Sequence, residues 1–146
     1  MEEYRTVAAA AEEEFVEKRS RFIGCVQPVS SEAEAQTFIA ARKKQYWDAT
    51  HNVWAYITDG GRIRRFSDDG EPQGTAGIPT LDVLCKAEVT DCAVVVTRYF
   101  GGILLGAGGL VRAYSHAAAL ALSAGRIVLR RLSPQLRLDC SYAQYG

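Results

Sequence analysis

Residues 92–131 read CAVVVTRYFGGILLGAGGLVRAYSHAAALALSAGRIVLRR. The unbroken Ala93-Val94-Val95-Val96 predicts a strand over 92–99 covered on both faces, because a half-wet strand would alternate apolar with polar residues. Such a strand belongs at the centre of a sheet. Five glycines between 101 and 109 then lead into a predicted helix over 110–124. Its alanines at 113, 117, 118, 121 and 124 suit very close packing on a sheet, while Arg112, Ser115, His116, Ala119 and Ser123 form a more polar stripe. Gly125 is placed to close the helix in the left-handed conformation, and residues 126–131 make the next strand. Strand, helix and strand in that order generically form a right-handed crossover.

Working outward, strands are predicted over 15–18 and 21–29, followed by Ser31-Glu32-Ala33-Glu34, which fits a capping box at a helix start. Ala35, Phe38, Ile39 and Tyr46 continue at helical spacing to about Trp47. Residues 53–57 and 63–67 flank Asp59-Gly60-Gly61, a hairpin signal. Residues 68–77, DDGEPQGTAG, are too rich in glycine and charge to pack as an element. Pro79 suits the first turn of a short helix ending near Ala87.

The chain has 146 residues, 48% hydrophobic and 23% charged, with 17 basic and 17 acidic side chains and no net formal charge. That composition is globular. The charge balance excludes bulk attraction to polyanions or anionic membranes, so any contact with RNA needs a local patch. Cys25, Cys85, Cys92 and Cys140 form no C-x-x-C pair and have no histidine pair at zinc spacing, so neither a structural metal nor another cofactor is expected. Residues 1–14 carry five glutamates and one arginine, unlike a secretory signal. The expectation is a cytoplasmic location, reduced thiols and no membrane partner.

Four motifs, in order, carry a resemblance: Lys18-Arg19-Ser20-Arg21-Phe22-Ile23, Asp48-Ala49-Thr50-His51-Asn52, residues 66–77 and residues 98–114. Together they resemble the N-terminal domain of the IMPACT/YigZ family. The resemblance implies an α+β, two-layer sandwich similar to the ribosomal protein S-five domain-2-like fold, in which the crossover is left-handed rather than right-handed. It also implies a ferredoxin-like domain after the first. On that reading residues 1–132 are the IMPACT-type domain, and residues 133–146 are a linker plus the opening strand of a second domain cut short. Eukaryotic members of the family act on translation. The function implied is a translation-linked regulatory or binding protein that recognises RNA, the ribosome or a translation regulator. The alternative is a small-molecule enzyme acting on a phosphorylated or other anionic substrate.

The candidate site residues fall in two loops and one strand start. Gly101, Gly102, Gly106, Gly108 and Gly109, with Arg98 before them and Arg112 after, would place exposed amides and a helix dipole at one spot, with no acid from 93 to 125. That is a cradle for a small anion, or merely a tight turn. Asp68, Asp69 and Glu71, with Gly74 and Thr75, would either hold a cation or form a solvated turn. A third reading pairs Asp69 or Glu71 with Arg98 or Arg112, which would weaken the anion reading and leave a surface suited to a protein. His51 and Asn52 open a strand, where His51 is a base, a phosphate donor or a simple cap. Tyr99 and Phe100 beside Arg98 suit base stacking, a protein hot spot, or ordinary core. Trp47 and Trp54 read as core or helix-end anchors. Lys18, Arg19, Arg21, Arg42, Lys43 and Lys44 read as solvated faces. No catalytic triad or metal set can be assembled from spacing.

Overall fold

The computed structural model describes residues 2–132 and 139–140. The elements run β1 Glu2–Val7, β2 Ala11–Glu17, β3 Ser20–Pro28, α1 Glu32–Gln45, β4 His51–Thr58, β5 Ile63–Ser67, α2 Gly77–Lys86, β6 Cys92–Tyr99, α3 Gly106–Gly125, β7 Ile127–Leu132 and β8 Asp139–Cys140. β2, β3, β6, β4 and β5 form an antiparallel sheet in that order, with the apolar run of β6 at its centre as expected. Alternation sorts its residues. Cys92, Val94 and Val96 join Phe22, Val26, Val53, Ala55 and Ile57 against α2 and α3, whereas Ala93 and Val95 join Cys25, Tyr56, Phe38 and Ile39 beneath α1. The fold is α+β, with α2 and α3 layered on one face and α1 on the other.

The alanine stripe of α3 is buried as predicted at Ala113, Ala117, Ala118 and Ala121, whereas Ala124, in the last turn, is exposed. At the point of closest approach β3 carries Gly24, where a Cβ would lie 2.6 Å from the Ala117 carbonyl oxygen. α1 is capped as its sequence demands: Ser31 Oγ accepts from the Glu34 amide, while the Glu34 carboxylate reaches back to the amide and hydroxyl of Ser30. Those bonds from Ser30 hold the Glu34 carboxyl below the usual carboxylate range.

Five expectations need correction. The path from β6 through α3 into β7 does not return to the same sheet, so it is a crossover of neither hand: β7 pairs antiparallel with β1 and lies between β1 and β8. α3 begins at Gly106, four residues before the predicted start, so Gly106, Gly108 and Gly109 belong to its first turn rather than to a loop. The left-handed residue that ends α3 is Arg126, with φ 63°; Gly125 is helical and glycine for space, since a Cβ there would lie 2.8 Å from Val26 Cγ1. Trp47 anchors no core and is 81% exposed. Arg42 lies on no solvated face: it sits in the buried stripe of α1 with Ala35, Phe38 and Ile39, and meets Glu12 at 2.9 Å. Of the tail expected to open a second domain, residues 133–138 and 141–146 lie outside the described residues, and Asp139–Cys140 pair with β7.

Candidate functional site

Sheet register builds the site. Across the ladders, Arg98 of β6 lies opposite His51 of β4 and Phe22 of β3, so all three project from the face that α3 covers. Their neighbours Thr97 and Asn52 project from the other face. There Thr97 Oγ1 donates to Asn52 Oδ1 at 2.7 Å and Asn52 Nδ2 donates to the Tyr46 carbonyl, so buried Asn52 ties β4 to the end of α1.

The hub on the α3 face is Glu71. Its side chain is 2% exposed, and Arg98, 6% exposed, donates through Nη1 to both carboxylate oxygens at 3.0 and 2.8 Å. Tyr114 of α3 donates its hydroxyl to Glu71 Oε2. Burial first, then the Glu71 charge, push the Tyr114 phenol well above the usual tyrosine range, so it stays a donor. Arg98 Nε donates to Ser20 Oγ at 3.3 Å, and its guanidinium carbon lies 5.7 Å from the Phe22 ring centre and 5.4 Å from that of Phe100.

His51 completes the cluster. Its Nδ1 is 2.9 Å from the Asp69 carbonyl oxygen, which only accepts, so Nδ1 carries the proton. Nε2 then faces Glu71 Oε1 at 3.4 Å. In the imidazolium form this contact is an ion pair.

The acidic loop thus turns inward. Asp68 accepts from the amides of Gly74, Ala76 and Gly77 and so caps α2, whose own N-cap residue Ala76 offers no side-chain bond. Asp69, at φ 44°, accepts from the Asn52 amide at 2.6 Å and lies 3.8 Å from Lys43 Nζ. Thr75 is buried and donates to the Pro72 carbonyl. Among the described residues no group of three metal-ligating side chains converges. The pairing of Glu71 with Arg98 is the arrangement that weakens a charged anion cradle. Nor do His51, Asp69 and Arg98 converge on one substrate position, because the Asp69 carboxylate points at β4.

The β6–α3 loop turns outward. Its anchor is Gly101, whose Cβ would fall 1.9 Å from the Arg19 carbonyl oxygen, so only glycine permits the loop to lie on the β2–β3 turn. Gly102 and Gly106 have φ of 92° and 76°. Leu104 is 80% and Phe100 45% exposed, with Ile103 beside them. Tyr99 is half-buried and donates to Asp48 Oδ1 at 2.8 Å. A cleft of about 440 Å³ lies behind this lip, lined by Phe100, Leu104, Leu105, Leu110, Gly106 and Ala107, with His51, Glu71 and Arg98 as its titratable side chains. Arg112 is exposed and lines a separate hollow with Phe15, Lys18, Gly109 and His116, so it shares no site with Arg98. Tyr114 and Ser20 escape the sequence reading. A tyrosine inside an alanine stripe was the available signal for the first.

The Impact N-terminal domain family matches residues 18–122, a span that holds every side chain of the cleft. IMPACT family member YvyE of Bacillus subtilis is 48% identical over 144 residues, covering 98% of this chain and 66% of the relative. IMPACT family member YigZ of Escherichia coli is 39% identical over 132 residues, covering 87% and 64%. A crystal structure of a hypothetical protein superposes with a TM-score of 0.84 at 36% identity, over 88% of this chain and 64% of that one. The chain therefore spans slightly less than two thirds of these relatives. With the motifs, the fold and the match over most of the chain in agreement, the chain belongs to the IMPACT family, through its Impact N-terminal domain.

Proposed function

We propose that this domain is a recognition module in a translation-linked regulatory protein, and that it meets a protein surface of the ribosome or of a translation regulator through the β6–α3 lip. One observation carries the reading. The charged groups beneath the cleft satisfy one another, as Glu71 does with Arg98 and Tyr114, while the side chains that reach outward, Phe100, Ile103 and Leu104, are apolar. Exposed apolar and aromatic side chains on a rigid base are what protein hot spots use. The link to translation comes from the family the motifs resemble.

The test is co-sedimentation of the purified protein with ribosomes at two salt concentrations, beside Phe100→Ser/Leu104→Ser and Lys18→Ala/Arg112→Ala variants. Binding that tolerates salt and is lost in the first variant supports the reading. Binding to free RNA that falls steeply with salt and is lost in the second moves the site to the basic hollow and to nucleic acid. One observation favours the enzyme alternative: His51 lines the cleft and is held by the Asp69 carbonyl, the posture of an oriented base. Turnover of an anionic substrate that His51→Gln abolishes would establish it.

A further inference from the structure

We propose that the β2–β3 turn and the hollow beside it extend the β6–α3 lip into a docking surface for a protein segment that carries acidic side chains next to apolar ones. The proposal rests on the docking reading of the lip and names the chemistry of its partner. Its first observation is unpaired charge. Arg21, on the strand that leaves the turn, holds Glu14 through bonds of 2.6 and 3.1 Å. Lys18 and Arg19 at the tip, and Arg112 on α3, make no ion pair and no side-chain hydrogen bond among the described residues. Lys18 and Arg112 line a hollow of about 270 Å³ with Phe15, Leu105 and Ala113, where Glu17 supplies the opposing charge. Three cations against that carboxylate leave the turn and the hollow locally positive in a chain with no net formal charge.

The second observation is the backbone that presents these cations. Glu17 pairs with Ser20 across the hairpin, so Lys18 and Arg19 form a two-residue turn, with φ of 46° and 67°. A turn with both central residues left-handed favours asparagine followed by glycine, and a long side chain is strained there. The relaxed residues for this turn carry no charge. The chain instead holds two cations at the tip against strain, and strain of this kind gathers at ligand-binding segments.

Turn and lip are fastened to each other. Ser20 Oγ accepts from the Gly101 amide and from Arg98 Nε, both at 3.3 Å, and Gly101 lies against the Arg19 carbonyl. Leu105 lines both the cleft behind the lip and the hollow beside the turn. A segment that seats apolar side chains on Phe100, Ile103 and Leu104 therefore passes close to Lys18, Arg19 and Arg112, where acidic side chains would meet their complement. Phe15, Leu105 and Ala113 give the methylenes of such a side chain an apolar wall. A nucleic-acid backbone fits less well, because Glu17 opposes phosphate in the hollow and the balanced charge of the chain adds no wider attraction.

The experiment is amide NMR titration of the whole chain with a short blocked peptide that alternates glutamate pairs with leucine-phenylalanine pairs, with its glutamine counterpart, and with a short single-stranded RNA. Each is repeated on Lys18→Asn/Arg19→Gly and on Phe100→Ser/Leu104→Ser. Lys18→Asn/Arg19→Gly gives the turn its relaxed residues, so it should fold with an unchanged or higher Tm while it removes two of the cations. Saturable shifts at the amides of the turn and of residues 101–105, about tenfold weaker for the glutamine peptide and in Lys18→Asn/Arg19→Gly, are the expected result, the size that a few exposed ion pairs supply. Equal affinity for the two peptides, or glutamate-peptide binding that Lys18→Asn/Arg19→Gly leaves unchanged, overturns the acidic assignment, and loss in Phe100→Ser/Leu104→Ser alone then leaves the docking reading standing. No saturation with either peptide overturns the proposal and leaves the docking reading to ribosome co-sedimentation. RNA that binds more tightly than the glutamate peptide, and is lost in Lys18→Asn/Arg19→Gly, overturns it in favour of nucleic acid.

Discussion

Two loops meet at the cleft, residues 68–76 before α2 and residues 100–105 before α3, and they are built on opposite plans. The first is rich in charge and spends every carboxylate internally: Asp68 on α2, Asp69 on β4, Glu71 on Arg98 and Tyr114. The second carries no charge, fixes itself through Gly101, and presents Phe100, Ile103 and Leu104 to solvent in front of an uncapped helix. Charge here marks scaffold and apolarity marks surface. The reason is energetic, since a buried carboxylate persists only where several donors meet it, while an exposed leucine costs a folded domain little.

If the first loop is scaffold, removing its hub should damage the fold most. Glu71→Ala leaves Arg98 buried without its partner and should cost about 3–5 kcal/mol, the usual penalty for half of a buried ion pair. Replacing both at once, as Glu71→Met/Arg98→Met, should recover most of that loss, and urea midpoints of the three variants would show it. A double variant as unstable as the single one would mean that the pair does more than neutralise itself. Next comes Gly101→Ala, which drives a methyl into the Arg19 carbonyl and should cost about 1–3 kcal/mol, as overpacking does. Asp68→Ala should follow at about 1–2 kcal/mol through the lost cap of α2, read as faster hydrogen exchange at the amides of Ala76 and Gly77.

The same plan gives a pH dependence. Burial pushes the Cys92 thiol up to about 12, and Tyr114 above its ordinary range. Both are neutral acids in the folded state, so above the thiol's ordinary value of 9.0 the unfolded chain loses protons that the folded chain keeps. With fewer protons bound when unfolded, stability falls as pH rises. On the alkaline side it should decline steadily beyond about pH 9. Tyr114→Phe should start less stable, for want of its bond to Glu71, and decline less steeply above about pH 10.

How far the sequence could be read follows the same divide. β6 was legible because Ala93-Val94-Val95-Val96 has a single structural use, and the start of α1 because Ser31 and Glu34 are local partners. Arg42 was legible too, since it continues the spacing of Ala35, Phe38 and Ile39, yet charge argued for the surface and hid it. The start of α3 was hidden by glycine, whose low helix propensity matters less in a first turn than in a helix interior. Glu71 lies 27 residues from Arg98 and 43 from Tyr114, so only the sheet register and the position of α3 bring them together. Local pattern showed that both loops were unusual. Only their long-range partners show which one faces inward.

The smallest expected effect on the fold is the sharpest check on the other half of the comparison. Leu104 is four-fifths exposed, so Leu104→Ala should change stability by less than about 0.5 kcal/mol, as surface substitutions do. If the outward loop is surface kept for a partner, the same change should weaken ribosome or regulator binding several-fold, because hot-spot energy concentrates in a few apolar side chains. A Leu104→Ala protein that loses stability but keeps its partner would make the lip part of the scaffold, and both loops would then face inward. Unaltered stability with lost binding would separate them cleanly, since Asp68→Ala must then do the reverse: lower the urea midpoint while partner affinity, measured well below unfolding, stays near that of the parent.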